Sequence, residues 1–131
     1  MNLNQVTVGC TDIERSTAFY RRLGLKPVVL SAHYARFACP DGQSTFSIHQ
    51  VEAVTPGETH ILFECEALDA EVARLKGEGV LFDGETTDEP WLWRQARLRD
   101  PDGNRLCLYH AGENRLNPPW RVSDSDAASS R

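Results

Sequence analysis

The sequence predicts an α+β fold built from two copies of one βαβββ module, and three observations carry that reading. A strand running into a capped helix occurs twice, first from residue 3 and again from residue 59. Glycine follows each helix where its apolar stripe ends, at Gly24 and at Gly77 and Gly79. A Pro-Asp-Gly turn precedes the last strand of each copy, at Pro40-Asp41-Gly42 and Pro101-Asp102-Gly103. A module repeated in this way does not bury its apolar face alone, so the copies should pack together and leave a concave groove.

Residues 3–10 alternate, with Val6, Val8 and Cys10 opposite Gln5, Thr7 and Gly9, the pattern of a half-buried strand. Asp12 is placed to cap a helix and Glu14 to meet its positive end. Ile13, Thr17, Tyr20 and Leu23 form its apolar stripe, and Gly24 suits the left-handed stop. Strands follow at residues 27–30, 34–38 and 45–51. In the second copy, residues 59–65 alternate, Asp69 is expected to cap a helix, and strands follow at 80–82, 95–99 and 105–109. One domain is expected over residues 1–122, with modules at about 1–54 and 55–111 and an extension at 112–122. Residues 123–131 have the small, polar composition of a disordered tail.

The chain has 131 residues and a formal net charge of -5. That length allows a core without disulfide staples. The charge argues against a nucleic-acid partner, which needs a concentrated basic face; Arg21 and Arg22 fit a solvated helix face. Cys10, Cys39, Cys65 and Cys107 are widely spaced with no CxxC pair, which suggests buried free thiols. No export signal and no bilayer-length apolar run is visible, so a cytoplasmic protein with no membrane partner is expected.

Three stretches resemble one family. VTVGCTDIERSTAFYRRLGL (residues 6–25) is similar to the opening strand and helix of the vicinal oxygen chelate superfamily. THILFECEALDAEVARLKGEGV (59–80) resembles the start of its second module, and RLRDPDGNRLCLYH (97–110) its signature turn and last strand. The superfamily includes glyoxalases, extradiol dioxygenases and bleomycin-resistance proteins, so the resemblance implies a glyoxalase-like pair of curved sheets around a central groove. It also implies a divalent metal, which acts as a Lewis acid on two adjacent substrate oxygens. The family's ligands are His or Gln on the first strand, Glu on the fourth, His on the fifth and Glu on the eighth.

Carried onto this chain, the first-strand position falls on Gln5 and the fifth-strand position on His60. The eighth-strand position is Cys107, where the carboxylate has become a thiol. The fourth-strand position is Ser47 or His49, two residues of the same parity. A set of Gln5, His49, His60 and Cys107 would suit zinc or a similar late transition metal. The other reading of Cys107 is a buried cysteine filling a site that lost its carboxylate, with no metal. With both glutamate positions changed, the family's usual proton transfer and its two-His-one-carboxylate iron site are each incomplete.

The segment DEPWLWRQAR (residues 88–97) supplies candidate ligand contacts besides Ser47. Trp91 and Trp93 could stack on a planar molecule, and Arg94 or Arg97 could pair with a carboxylate or phosphate. His33, Tyr34 and Arg36 are placed to face the same groove. Three functions follow from the resemblance: a metal-assisted lyase, isomerase or dioxygenase; a metal-free protein that sequesters a small molecule, of the bleomycin-resistance type; and a relic with an empty groove. A homodimer is expected, with residues 117–122 and Trp120 reaching the partner.

Overall fold

In the computed structural model, which describes residues 1–123, the chain passes through β1 (Gln5–Cys10), α1 (Ile13–Arg22), β2 (Lys26–Leu30), β3 (Tyr34–Ala38) and β4 (Thr45–Gln50). The second module repeats the order with β5 (His60–Glu64), α2 (Leu68–Gly77), β6 (Thr87–Asp88), β7 (Arg94–Arg99) and β8 (Arg105–His110). Each module makes one four-stranded sheet, ordered β1-β4-β3-β2 and β5-β8-β7-β6. The first strand of each lies parallel to the last, and the other pairings are antiparallel. The predicted α+β fold of two βαβββ modules is therefore the observed one.

Local chemistry explains the helices. Asp12 accepts the Arg15 amide at 3.1 Å, Glu14 lies in the first turn of α1, and Arg21 and Arg22 lie in the last. Gly24, at φ +103°, allows the Gly24 and Leu25 amides to reach the Arg21 and Tyr20 carbonyls. Helix α2 differs from expectation at its start. Ala67 is its N-cap, with no side-chain cap, and Asp69 lies within the first turn, paired to Arg94 at 3.0 Å. The apolar stripe of α1 also shifts: Ser16 and Tyr20 are its buried residues, and Thr17 is only half-buried. Residues 80–82 contribute an isolated bridge, Phe82 to Leu98, rather than a strand, and the edge of the second sheet is made by β6. Residue 123 belongs to no element, and residues 124–131 of the expected tail lie outside the described residues.

The helix-side faces of both sheets enter one apolar core. Phe37, Phe46 and Ile48 of the first sheet join Leu98, Leu106 and Leu108 of the second, with Tyr20, Leu68 and Leu75 from the helices. Phe46 and Phe63 meet edge-on across the modules, their ring centroids 5.8 Å apart. A polar clasp closes the same junction. Asp102, from the second Pro-Asp-Gly turn, accepts the Thr11 amide at 3.1 Å and the Thr11 hydroxyl at 2.5 Å. Asp100 is almost fully buried and accepts the Tyr20 hydroxyl at 2.6 Å, while the Asn104 amide donates to the Gly9 carbonyl at 3.1 Å. All four cysteines are free; Cys10 and Cys107 are buried, Cys39 and Cys65 half-buried.

Candidate functional site

Because Val6, Val8, Phe46 and Ile48 turn into the core, the alternate residues of β1 and β4 lie on the sheet's outer face. Gln5, Thr7, Thr45, Ser47 and His49 share that face with Tyr34 and Arg36 of β3, their register partners. A chain of hydrogen bonds links most of them. The Gln5 amide nitrogen donates to Ser47 Oγ, and the Thr45 hydroxyl donates to Gln5 Oε1. Ser47 Oγ and Tyr34 Oη lie 2.7 Å apart, and Arg36 Nε donates to Tyr34 Oη at 2.9 Å. Ser47 is fully buried, whereas His49 is exposed beside Tyr34. Of the two fourth-strand candidates, Ser47 is the one joined to Gln5.

The second sheet has its own outer face. There His60 pairs with Arg105, Leu62 with Cys107, and Glu64 with Tyr109, while Arg97 and Gln95 of β7 flank Cys107 and Tyr109. Trp93 stacks on Tyr109, with ring centroids 4.7 Å apart and planes 25° from parallel. Cys107, Tyr109, Ala111 and Trp93 form a small apolar cluster of their own. Burial there pushes the Cys107 thiol above its ordinary value, against the lowering effect of Arg97. Glu64 accepts the Ala111 and Gly112 amides at 2.8 and 2.9 Å. Burial would raise its carboxyl, but those amides and Arg115 outweigh it and hold the group below the usual range.

The four residues expected at one metal are thus divided. Gln5 and His49 lie on one outer face, His60 and Cys107 on the other. Among the described residues no group of three or more His, Cys, Asp or Glu is positioned to hold a metal ion. Within one chain the candidate donors are not free for a metal together: both ends of the Gln5 amide are engaged and burial raises the Cys107 thiol, while His49 and His60 are exposed on separate outer faces.

The other candidate contacts separate as well. Arg97 projects from the outer face, but Arg94 has the opposite parity and forms ion pairs with Asp69 at 3.0 Å and Asp88 at 3.1 Å. Trp91 is exposed in the β6–β7 hairpin loop, followed by Leu92 at φ +67°. Glycine or asparagine ordinarily occupies that backbone region, so Leu92→Asn should raise stability by about 1 kcal/mol, read as a higher Tm. Two clefts of about 660 and 630 Å³ are present, one against α1 and Leu30, the other between the Pro40-Asp41-Gly42 turn and β5, where it reaches Leu62, Glu64 and Tyr109 of the second sheet's outer face. Neither is lined by the site residues expected from the sequence. Sequence reasoning missed Tyr109 as the partner of Trp93, although its parity with Cys107 is a usable signal.

Comparison with known proteins agrees with this architecture. The sequence profile of the Glyoxalase/Bleomycin resistance protein/Dioxygenase superfamily matches residues 2–108. No curated protein sequence matches the chain. Among solved structures, a glyoxalase/bleomycin resistance protein/dioxygenase from Nocardioides is similar at TM-score 0.74 and 17% identity, covering 94% of this chain and 90% of that one. A bleomycin resistance determinant encoded on the transposon Tn5 is similar at TM-score 0.72 and 19% identity, covering 84% and 98%. Lactoylglutathione lyase from Agrobacterium tumefaciens is similar at TM-score 0.69 and 20% identity, covering 83% and 92%. At these identities the likeness is one of fold, and with the profile match over most of its length the chain belongs to the glyoxalase/bleomycin resistance protein/dioxygenase superfamily.

Proposed function

We propose that this protein is a metal-free binder of a small planar anion, held in a groove that two copies of the chain complete. The observation that carries the reading is the Trp93–Tyr109 stack beside Arg97, which has no carboxylate partner among the described residues. Rigid aromatic faces next to a free guanidinium recognise a flat molecule with a negative edge. A bleomycin-binding protein complexed with bleomycin is among the similar folds, which supports the small-molecule class without naming the ligand here. In a two-fold homodimer the outer face of one copy's first sheet would meet that of its partner's second sheet. The exposed side chains of Leu62, Trp91 and Trp120 favour such pairing, with residues 117–122 reaching across.

A metal-assisted lyase, isomerase or dioxygenase is the second reading. One observation favours it: Gln5 and His60 stand at the first positions of the equivalent strands β1 and β5. A tryptophan-fluorescence titration with small aromatic acids, run with and without chelator, separates the two. Quenching that persists with chelator and shrinks in Trp93→Phe is expected. Binding lost with chelator, together with stoichiometric metal by elemental analysis and a loss on His60→Ala but not His110→Ala, would establish the metal reading instead. No quenching under either condition would remove Trp93 and Arg97 from the site.

A further inference from the structure

The geometry leaves the direction of the Ser47–Tyr34 hydrogen bond open, and a count of donors and acceptors on the first sheet assigns it. Ser47 Oγ has two partners, the Gln5 amide nitrogen and Tyr34 Oη. The amide nitrogen only donates, and Ser47 is fully buried, so its hydroxyl hydrogen has a single acceptor in the Tyr34 oxygen. Arg36 Nε donates to that same oxygen. Both lone pairs of the phenol are then filled, and its own hydrogen is left for an acceptor outside the chain. Arg36 uses only Nε in this bond, and its two terminal amino groups have no partner among the described residues. The guanidinium also sits 5.5 Å from the Tyr34 ring centroid, which keeps it beside the phenol.

We infer that Tyr34 and Arg36 form a receptor for the carboxylate of the bound molecule, with Tyr34 Oη–H donated to one oxygen and an Arg36 Nη–H to the other. The inference rests on the groove reading only for what lies beyond that carboxylate. Gln5 and Ser47 act as positioning residues, since they orient the phenol hydrogen without touching the ligand. A carboxylate at position 47 would repel an anion, whereas the serine there turns the phenol outward.

The same geometry gives a spectroscopic handle. The Ser47 hydrogen bond, then Arg36 and the Gln5 amide, hold the Tyr34 hydroxyl below its ordinary value, even though desolvation opposes them. The chain has two other tyrosines, and burial pushes both upward, Tyr20 far more than Tyr109. Tyr34 should therefore ionise first. The charged and titratable groups facing it are Arg36 on its own strand and His49 on β4; the one titratable group of β1, Cys10, is turned into the core, and the one charge on β2, Lys26, pairs with Ala38 at the far end.

Phenolate absorbance of the full chain, followed against pH with and without saturating benzoate, tests the receptor. In ligand-free protein one tyrosine should ionise below the ordinary tyrosine value, and Tyr34→Phe should remove that step. Benzoate should shift the step upward, because an anion against the hydroxyl disfavours a second negative charge. By linkage, benzoate affinity should fall as pH rises through the Tyr34 step. Tyr34→Phe should weaken benzoate by about tenfold or more. A first step at the ordinary value, a step that benzoate does not move, or unchanged affinity in Tyr34→Phe would each overturn the inference. Benzoate that moves the Tyr34 step without quenching Trp93 would uphold the receptor and refute the two-sheet groove.

Discussion

Replacing Asp100 with alanine is expected to cost about 3–5 kcal/mol, enough to lower Tm by roughly 10 °C or more in a chain of this size. Asp100 Oδ1 accepts the Asp102 and Asn104 amides at 3.0 and 2.9 Å. Its Oδ2 accepts the Tyr20 hydroxyl and the Asn104 side-chain amide at 2.6 and 2.8 Å. Truncation leaves all four donors without that acceptor, one of them on a tyrosine that is itself fully buried. It also frees the turn that presents Asp102 to Thr11, so the two modules lose their clasp together. Tyr20→Phe removes one donor and keeps the aromatic packing, and should cost about 1–2 kcal/mol. Thermal melts of both variants check the ordering. Equal, small shifts would show that the apolar contacts, chiefly Phe46 on Phe63, hold the modules without the clasp.

Much of this fold was legible because its signals are local. Alternation at Gln5 to Cys10, the Asp12 cap and the Gly24 stop each act over a few residues, and each is found where the pattern places it. Asp69 was misread because a cap and a first-turn acid look alike two residues apart. In the structure, its carboxylate is turned to Arg94, an ion pair 25 residues away that no local pattern reports. The same contact took Arg94 out of the candidate ligand contacts, since its parity follows Ala96 into the helix side rather than Arg97.

The candidate site was legible only by halves. Period-two alternation states that Gln5 and Val6 point opposite ways, and with the β5–β8 register it puts His60 on one face with Cys107. It does not state which face of one sheet meets the other sheet. That is decided by where the apolar surface is largest, and Phe46, Ile48, Phe63, Leu106 and Leu108 pull the helix sides together. Gln5 and His60, equivalent in the repeat, are thereby sent to different outer faces of one chain. Cys107 illustrates the other gap. Its burial comes from Trp93, Tyr109 and Ala111 closing over it, a packing event that spacing alone does not reveal.

If two copies complete the site, Leu62→Glu should convert the protein to a monomer and abolish quenching of Trp93 by aromatic acids. Leu62 is 43% exposed, pairs with Cys107 in the middle of the second sheet's outer face, and lies on the edge strand β5. An isologous two-fold interface repeats every substitution, so one change buries two unpaired carboxylates. Each costs several kcal/mol if kept charged, and the sum corresponds to well over a hundredfold in dimer affinity. Ala18→Glu on the exposed side of α1 adds the same charge away from both outer faces and should leave assembly and quenching intact. Sedimentation at micromolar concentration reads the first effect, and the fluorescence titration reads the second. A wild-type chain that sediments as a monomer of 14.7 kDa would contradict the two-copy groove outright. A Leu62→Glu variant that is monomeric yet still quenches would place the aromatic-acid site on the second sheet alone. The Trp93–Tyr109 stack and Arg97 would then be sufficient for binding, and the first sheet would have no part in it.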